Sequence, residues 1–263
     1  MSNRPSIWPY PALIAHRGAG KQAPENTLAA IRTGNSYGYK MMEYDVKLSH
    51  DQVAILLHDD DISRTSNSQG LAAELTLKEL ANIDFGAWHS DPFAGEPIAT
   101  LSSIAAYTLA NGIHSNIEIK PHTGLEAVTG AEVSRLAQKL WSGASLPPLL
   151  SSFSEVALEA AQKTAPNLPR ALLIAKELPD NWQERVQRLG CIGLNLNNRY
   201  TTQAIVQQII DASFTLAVWT VNDAARIQEL RNWGCHAVFT DEVHSISPAA
   251  FNEYSIQSHA SPL

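Results

Sequence analysis

The chain has 263 residues, 44% apolar and 17% charged, with a formal net charge of −7 and no lysine- or arginine-rich run. That balance argues against nucleic acid or an anionic membrane as a bulk partner, but not against a small anion in a local positive pocket. No signal-peptide core stands near the N-terminus and no stretch approaches the roughly 18 apolar residues of a membrane span, so a soluble, cytoplasmic protein without membrane insertion is expected.

The first element is the apolar run Ala12-Leu13-Ile14-Ala15, which ends abruptly in His16-Arg17-Gly18. Its length predicts a buried strand. In a parallel α/β sheet, functional groups collect where strands end and loops begin. A polar loop containing Pro24 leads into a predicted helix over 25–37, which stops near Gly38. Next come a strand at 41–48 (MMEYDVKL), a polar turn at 49–52 and a second apolar run at 53–57. Parallel neighbours need a crossover of a dozen or more residues, so these two runs can pair only as an antiparallel hairpin. Folding it about Asp51 returns His58 to the level of Glu43 and Asp45.

Residues 59–99 break the rhythm. They are rich in Asp, Ser, Asn, Gly and Pro, with one short helical candidate at Thr76–Asn82. An irregular insertion of this length points to a lid or small subdomain rather than a passive connection. Strands and helices then alternate: helices at about 100–111, 125–141, 154–164, 180–189, 201–211 and 223–233 separate the later apolar runs. Setting the hairpin partner aside, strands begin near 12, 41, 115, 148, 170, 191, 214 and 236. Eight parallel strands alternating with helices predict a (β/α)8 TIM barrel, one catalytic domain over 1–263 with its site at the strands' C-terminal ends. A terminal helix is expected from about 249. Cys191 and Cys235, far apart in apolar surroundings, are expected as buried, reduced thiols.

The chemistry concentrates on two strands. Glu43 and Asp45 are two residues apart, so both carboxylates share one strand face while Tyr44 takes the other. Glu118 and Lys120 repeat the spacing on the next barrel strand. Three acids against one lysine leave excess negative charge, which an oxygen-ligated divalent cation, Mg2+ or Ca2+, would neutralise. The bland alternatives are an exposed acidic face or a structural ion-pair network. His16 and His58 bracket the carboxylates as a candidate acid/base pair, which cleavage of a phosphate diester requires. Arg17 and the metal would hold phosphate oxygens. Trp219 could wall a small substrate. The remaining histidines are assigned structural or exposed places, with His122 a weak exception after Lys120-Pro121.

In this order, His16-Arg17-Gly18, Pro24-Glu25-Asn26-Thr27, Glu43-x-Asp45-Val46, His58-Asp59, Arg64-Thr65, Ile117-Glu118-Ile119-Lys120, Ser152-Phe153, Trp219-Thr220-Val221-Asn222 and Thr240-Asp241 closely resemble the glycerophosphodiester phosphodiesterase family, in its bacterial cytosolic type. The resemblance implies a divalent ion on Glu43, Asp45 and Glu118, with His16 and His58 as acid and base. Arg17 and Lys120 would contact the phosphate, with Phe153 and Trp219 lining the substrate. It also implies release of sn-glycerol 3-phosphate and an alcohol from deacylated phospholipids such as glycerophosphocholine and glycerophosphoethanolamine, and it leaves a homodimer open. At Gln52 the family usually has glycine, so an altered hairpin turn is expected there. Two rivals are weaker. A barrel phospholipase would want an exposed apolar rim and a secretory signal, and a non-catalytic sensor would suit a chain missing a histidine or a metal ligand.

Overall fold

The computed structural model describes residues 8–249. The predicted terminal helix from about 249 lies outside them. Eight parallel strands, β1 (Leu13–Ala15), β2 (Met41–Leu48), β4 (His114–Ile119), β5 (Leu149–Ser152), β6 (Arg170–Ile174), β7 (Gly193–Asn197), β8 (Thr215–Trp219) and β9 (Ala237–Thr240), form one sheet that closes through pairing of β1 with β2. Each begins within two residues of its expected position. β3 (Ala54–Leu56) runs antiparallel to the end of β2, with Val46 opposite Leu56 and Leu48 opposite Ala54. The helices are α1 (Leu28–Ser36), α2 (Leu77–Leu80), α3 (Leu101–Ala110), α4 (Glu126–Leu140), α5 (Glu155–Thr164), α6 (Trp182–Arg188), α7 (Gln203–Asp211) and α8 (Ala224–Asn232). Alternating strands and helices closed in this way make a (β/α)8 barrel.

Alternate side chains of each barrel strand enter the interior. Ile14, Met41, Leu149, Ala171, Ala217, Ala237 and Phe239 pack there with Tyr10 as an apolar plug. Two positions past Ile14, Met41, Leu149, Ala171 and Ala217 stand His16, Glu43, Ser151, Leu173 and Trp219, which line the cavity above the plug. The side chains on the other face, among them Tyr44, Val46, Ile117, Leu150, Leu172, Leu194 and Val218, pack outward against the helices. Each fully buried aliphatic side chain contributes about 1.5–3 kcal/mol.

Arg170, at the start of β6, is buried without a carboxylate partner among the described residues. Its guanidinium donates instead to the carbonyls of Ala165, Leu168, Leu189 and Gly190, just past the ends of α5 and α6. Helix C-termini leave such carbonyls without intrahelical donors, so one side chain satisfies the ends of two helices.

The insertion after β3 has a core of its own. Ile62, Ala72, Leu80, Phe85 and Ile98 pack on Ile55 and Leu57 of the hairpin. Thr76 caps α2 in a reciprocal box with Glu79. The Asp84 carboxylate accepts from the backbone N–H groups of Gly86, Ala87 and Gly95 and fixes the loop that follows. In the hairpin turn Gln52 takes φ 59°, the left-handed conformation that glycine favours. The altered turn expected at this residue is thus a glutamine held in a glycine-like backbone geometry. Cys191 and Cys235 are free and buried, and burial pushes both thiols up to about 12.

Candidate active site

At the end of β1 the backbone N–H of His16 bonds to the Thr240 carbonyl of β9 (3.0 Å). The chain then turns sharply through Arg17 (φ 51°) and Gly18 (φ 94°). A Cβ at Gly18 would lie 2.9 Å from that of Ala30, so α1 could not pack this closely on any other residue. The turn aims the Arg17 N–H at Glu43 Oε2 (3.0 Å) and brings His16 Nε2 to 3.8 Å from the same oxygen. His16 Nδ1 pairs with Asp241 Oδ1 at 2.7 Å. Asn222 holds Asp241 in turn, donating to its Oδ2 (3.0 Å) and accepting from its backbone N–H (2.8 Å).

Asp45 and Glu118 are direct neighbours in the β2–β4 register. One oxygen from each of Glu43, Asp45 and Glu118 lies within 4.8 Å of the others, and all three residues are buried. Burial, reinforced by the neighbouring carboxylates, pushes Glu43 well above the ordinary carboxylate range. The same two causes raise Glu118 to about 7. Asp45 shifts the other way: burial opposes its charge, but Lys120, Arg17 and a 2.8 Å bond from Asn26 outweigh it. Lys120 Nζ stands 3.4 Å from Glu118 Oε1 and 3.5 Å from Asp45 Oδ1. Glu43 Oε1 is buried with no hydrogen-bond partner among the described residues. Three converging buried carboxylates, one with an unpaired oxygen, fit a hard divalent cation.

The hairpin places the second histidine. Leu57 N–H bonds to the Asp45 carbonyl (3.1 Å), so the next residue, His58, emerges beside the carboxylates. Its Nδ1 pairs with Asp59 Oδ1 at 2.6 Å. Burial draws His58 below the ordinary histidine range against the pull of Asp45, which favours a neutral ring able to accept a proton. Both imidazoles thus have Nδ1 tied to a carboxylate, and the tautomer with a free Nε2 follows from that bond. Arg64 holds Asp59 (Nε to Oδ2, 2.5 Å) and forks onto both oxygens of Glu25 (2.8 and 2.9 Å). Glu25 also accepts from Arg17 Nη1 at 2.8 Å. Asp59 is drawn down to about 2, foremost by its bond from Arg64.

One cavity of about 250 Å3 is lined by His16, Arg17, Glu43, Asp45, His58, Glu118, Lys120, Phe153 and Trp219, which brings all nine sequence-derived candidates together. Phe153 and Trp219 meet edge to face with centroids 5.5 Å apart, and Lys120 Nζ lies 6.0 Å from the Phe153 ring.

The sequence profile of the Glycerophosphoryl diester phosphodiesterase family matches residues 16–245, a span that holds every one of these side chains. The chain belongs to this family. It is 35% identical to an Oleispira antarctica phosphodiesterase whose structure holds the product sn-glycerol 3-phosphate. The TM-score is 0.85, over 92% of this chain and 97% of that one. It is 28% identical over 234 residues to a glycerophosphodiester phosphodiesterase of Caldanaerobacter subterraneus subsp. tengcongensis, covering 89% of this chain and 95% of that protein. A glycerophosphodiester phosphodiesterase of Bacillus subtilis is 28% identical over 243 residues, covering 87% of this chain and 82% of that protein.

In this glycerophosphodiester phosphodiesterase family member, sequence reasoning gave no role to the residues that support the histidines. Asp59, Glu25, Arg64, Asn222 and Asp241 lie inside the family-like stretches; Asp59 pairs locally with His58 and Arg64, whereas Glu25 with Arg64 and Asp241 with His16 join distant parts of the chain. Lys47 continues the strand face of Glu43 and Asp45, and sequence pattern alone does not single it out. It is 1% exposed, and its Nζ donates to Asp60 Oδ1 (2.7 Å) and to the Lys120 carbonyl (3.2 Å). His122, the weak exception, faces Asp60 (Nδ1 to Oδ1, 3.1 Å) and does not line the cavity. Among the described residues no helix is long and apolar enough to cross a membrane.

Proposed function

We propose that this protein hydrolyses glycerophosphodiesters, such as glycerophosphocholine and glycerophosphoethanolamine, to sn-glycerol 3-phosphate and an alcohol, with a divalent cation, Mg2+ or Ca2+. One observation carries the reading. Two imidazoles, each fixed at Nδ1 by a carboxylate, share a small cavity with three convergent buried carboxylates and two cations. Membership of the family and the product held by the Oleispira antarctica relative support the substrate class.

Glu43, Asp45 and Glu118 would hold the cation, which supplies charge for the phosphoryl oxygens when bound. Arg17 and Lys120 orient the diester and offset charge that builds on it in the transition state. One histidine takes a proton at Nε2 from the attacking hydroxyl as the new P–O bond forms. The other delivers a proton to the leaving alkoxide as the old P–O bond breaks, so a neutral alcohol departs. Asp241 and Asp59 each hold a ring through its Nδ1–H and aim Nε2 into the cavity, where it is bare in the base and carries the transferable proton in the acid, an imidazolium. Phe153 and Trp219 wall the cavity and exclude water from one side. The attacking hydroxyl belongs either to water or to the substrate's own glycerol, the second route passing through a cyclic phosphate. Oxygen-18 uptake in a single turnover distinguishes them.

The direct test is product analysis with purified protein on glycerophosphocholine and glycerophosphoethanolamine. Release of sn-glycerol 3-phosphate and the free alcohol is expected. No turnover of any glycerophosphodiester in the presence of Mg2+ or Ca2+ would contradict the proposal.

A further inference from the structure

Below the carboxylates the cavity reaches a second group of polar side chains that the reaction above does not use. Asn116 lies on β4 two residues before Glu118 and beside Glu43 in the strand register. Ser151 follows on β5 beside Glu118, and Asn195 stands on β7 opposite Leu173. All three line the same cavity as the histidines. Their exposures are 0%, 0% and 1%, so they sit at its closed end, on the apolar plug of the barrel.

These groups are under-used by the protein itself. Asn116 Nδ2 donates to Ser151 Oγ at 2.8 Å, but Asn116 Oδ1 has no partner among the described residues. Asn195 has none for either its Oδ1 or its Nδ2. Buried amides are almost always satisfied, because leaving one unpaired forfeits its hydration with nothing in return. Two of them lining one cavity, Asn116 beside the Ser151 hydroxyl and Asn195 on β7, describe a surface prepared for another molecule's donors and acceptors. The Ser151 hydroxyl, already accepting from Asn116, keeps its own proton to give. Asn195 offers a donor and an acceptor, and Asn116 offers an acceptor. That alternation matches a polyol, whose hydroxyls each donate and accept. It does not match a phosphoryl group, which only accepts, nor an apolar tail.

We infer that Asn116, Ser151 and Asn195 form a hydroxyl-recognising floor that binds the glycerol portion of the substrate and selects it over alkyl phosphodiesters. The inference rests on the glycerophosphodiester reading. It also orients the substrate: the glycerol end enters the closed floor, and the alcohol group faces the open mouth, beside the paired rings of Phe153 and Trp219. A closed polar end suits the constant part of a substrate class, and an open aromatic end tolerates its variable part.

Calorimetry with two ligands tests this, using the full chain with saturating Ca2+. sn-Glycerol 3-phosphate carries the hydroxyls, and propyl phosphate is its analogue without them. The wild type is expected to prefer the former by about 100-fold, as sites built around hydroxyl hydrogen bonds discriminate strongly. Asn195→Leu and Asn116→Leu should each reduce that preference about tenfold or more, leaving propyl phosphate affinity within about threefold. A preference unchanged in both variants overturns the inference and returns the discrimination to the cation or the histidines. Should a leucine variant fail to fold, Asn195→Ala and Asn116→Ala are read by the same ratio. The two failures stay separate. Wild-type turnover with variants that keep the preference sinks only the floor, whereas loss of preference in the variants of a protein that turns over no diester sinks only the activity.

Discussion

Asp241 decides how His16 can be used. With Nδ1 held at 2.7 Å by a carboxylate, the neutral ring carries its proton on Nδ1 and presents a free Nε2 to the cavity. An asparagine at 241 could donate to Nδ1 and reverse that tautomer. Asp241→Asn is therefore expected to lower kcat by about 10²–10⁴-fold, the range associated with a positioned acid or base, with KM within a few-fold. Steady-state kinetics beside a circular dichroism spectrum would check it, and an unchanged kcat would remove Asp241 from this role. Glu118 offers a pH test. Its carboxyl is raised to about 7 by burial and by Asp45, so the proton binds the folded state more tightly than the unfolded one. The stability this proton confers is complete in acid and is lost as pH climbs through about 7. A divalent cation must displace the same proton, so its stabilising effect grows over the same interval. Thermal melts between about pH 5 and 8 should show the metal-free midpoint falling and the gap between Ca2+-loaded and metal-free protein widening. A constant gap would contradict the assignment. The acids were legible in sequence because two-residue spacing on a strand fixes their face, and the histidines because His16 ends the first strand and the hairpin returns His58 to the level of the acids. The Asp241 pairing was not, because it joins residues 225 positions apart that only the closure of β1 onto β9 brings together.

At the scale of elements, the barrel strands were readable from short apolar runs, and the helices from their spacing and flanking glycines. The long crossovers excluded all but parallel pairing, and the four-residue turn at 49–52 excluded all but a hairpin. What pattern could not show was the work of Arg170. In sequence it is a charge opening an apolar strand; in the fold it satisfies carbonyls beyond the ends of α5 and α6. Arg170→Met keeps most of the volume but removes the guanidinium from those carbonyls, of which Ala165 keeps the Leu168 N–H, and should cost about 3 kcal/mol of unfolding free energy. Urea denaturation would measure it. Activity well below the transition should be unchanged, since the residue lies outside the cavity. A loss under about 0.5 kcal/mol would show that water replaces the guanidinium without penalty.

Across the whole molecule, the insertion is joined to the barrel by its apolar core on the hairpin, by Glu96 at the Ala29 N–H of α1, and by charge at its first turn. Asp60 reaches the buried Lys47 of β2, and Arg64 links Asp59 to Glu25 in the loop after β1. One chain of charge therefore runs from His58 through Asp59, Arg64 and Glu25 to Arg17, coupling the candidate acid/base to the candidate phosphate ligand. Composition marked residues 59–99 as irregular. It did not reveal this coupling, because the partners come from three separate segments. Arg64→Ala should lower kcat by about 10- to 100-fold, since small misplacements of reacting groups are costly, and Arg64→Lys should not fully restore it because one ammonium cannot bridge both acids. Single-turnover rates under saturating substrate would check this. The central claim is that three carboxylates in a barrel mouth hold a divalent cation for diester cleavage by the flanking histidines. It is tested most directly by measuring sn-glycerol 3-phosphate release from glycerophosphocholine before chelation, after chelation and on adding Mg2+ or Ca2+ back. Activity lost with the metal and restored by it in the wild type, but not in Glu118→Gln, is the predicted result. Full turnover by the chelated protein would contradict the account.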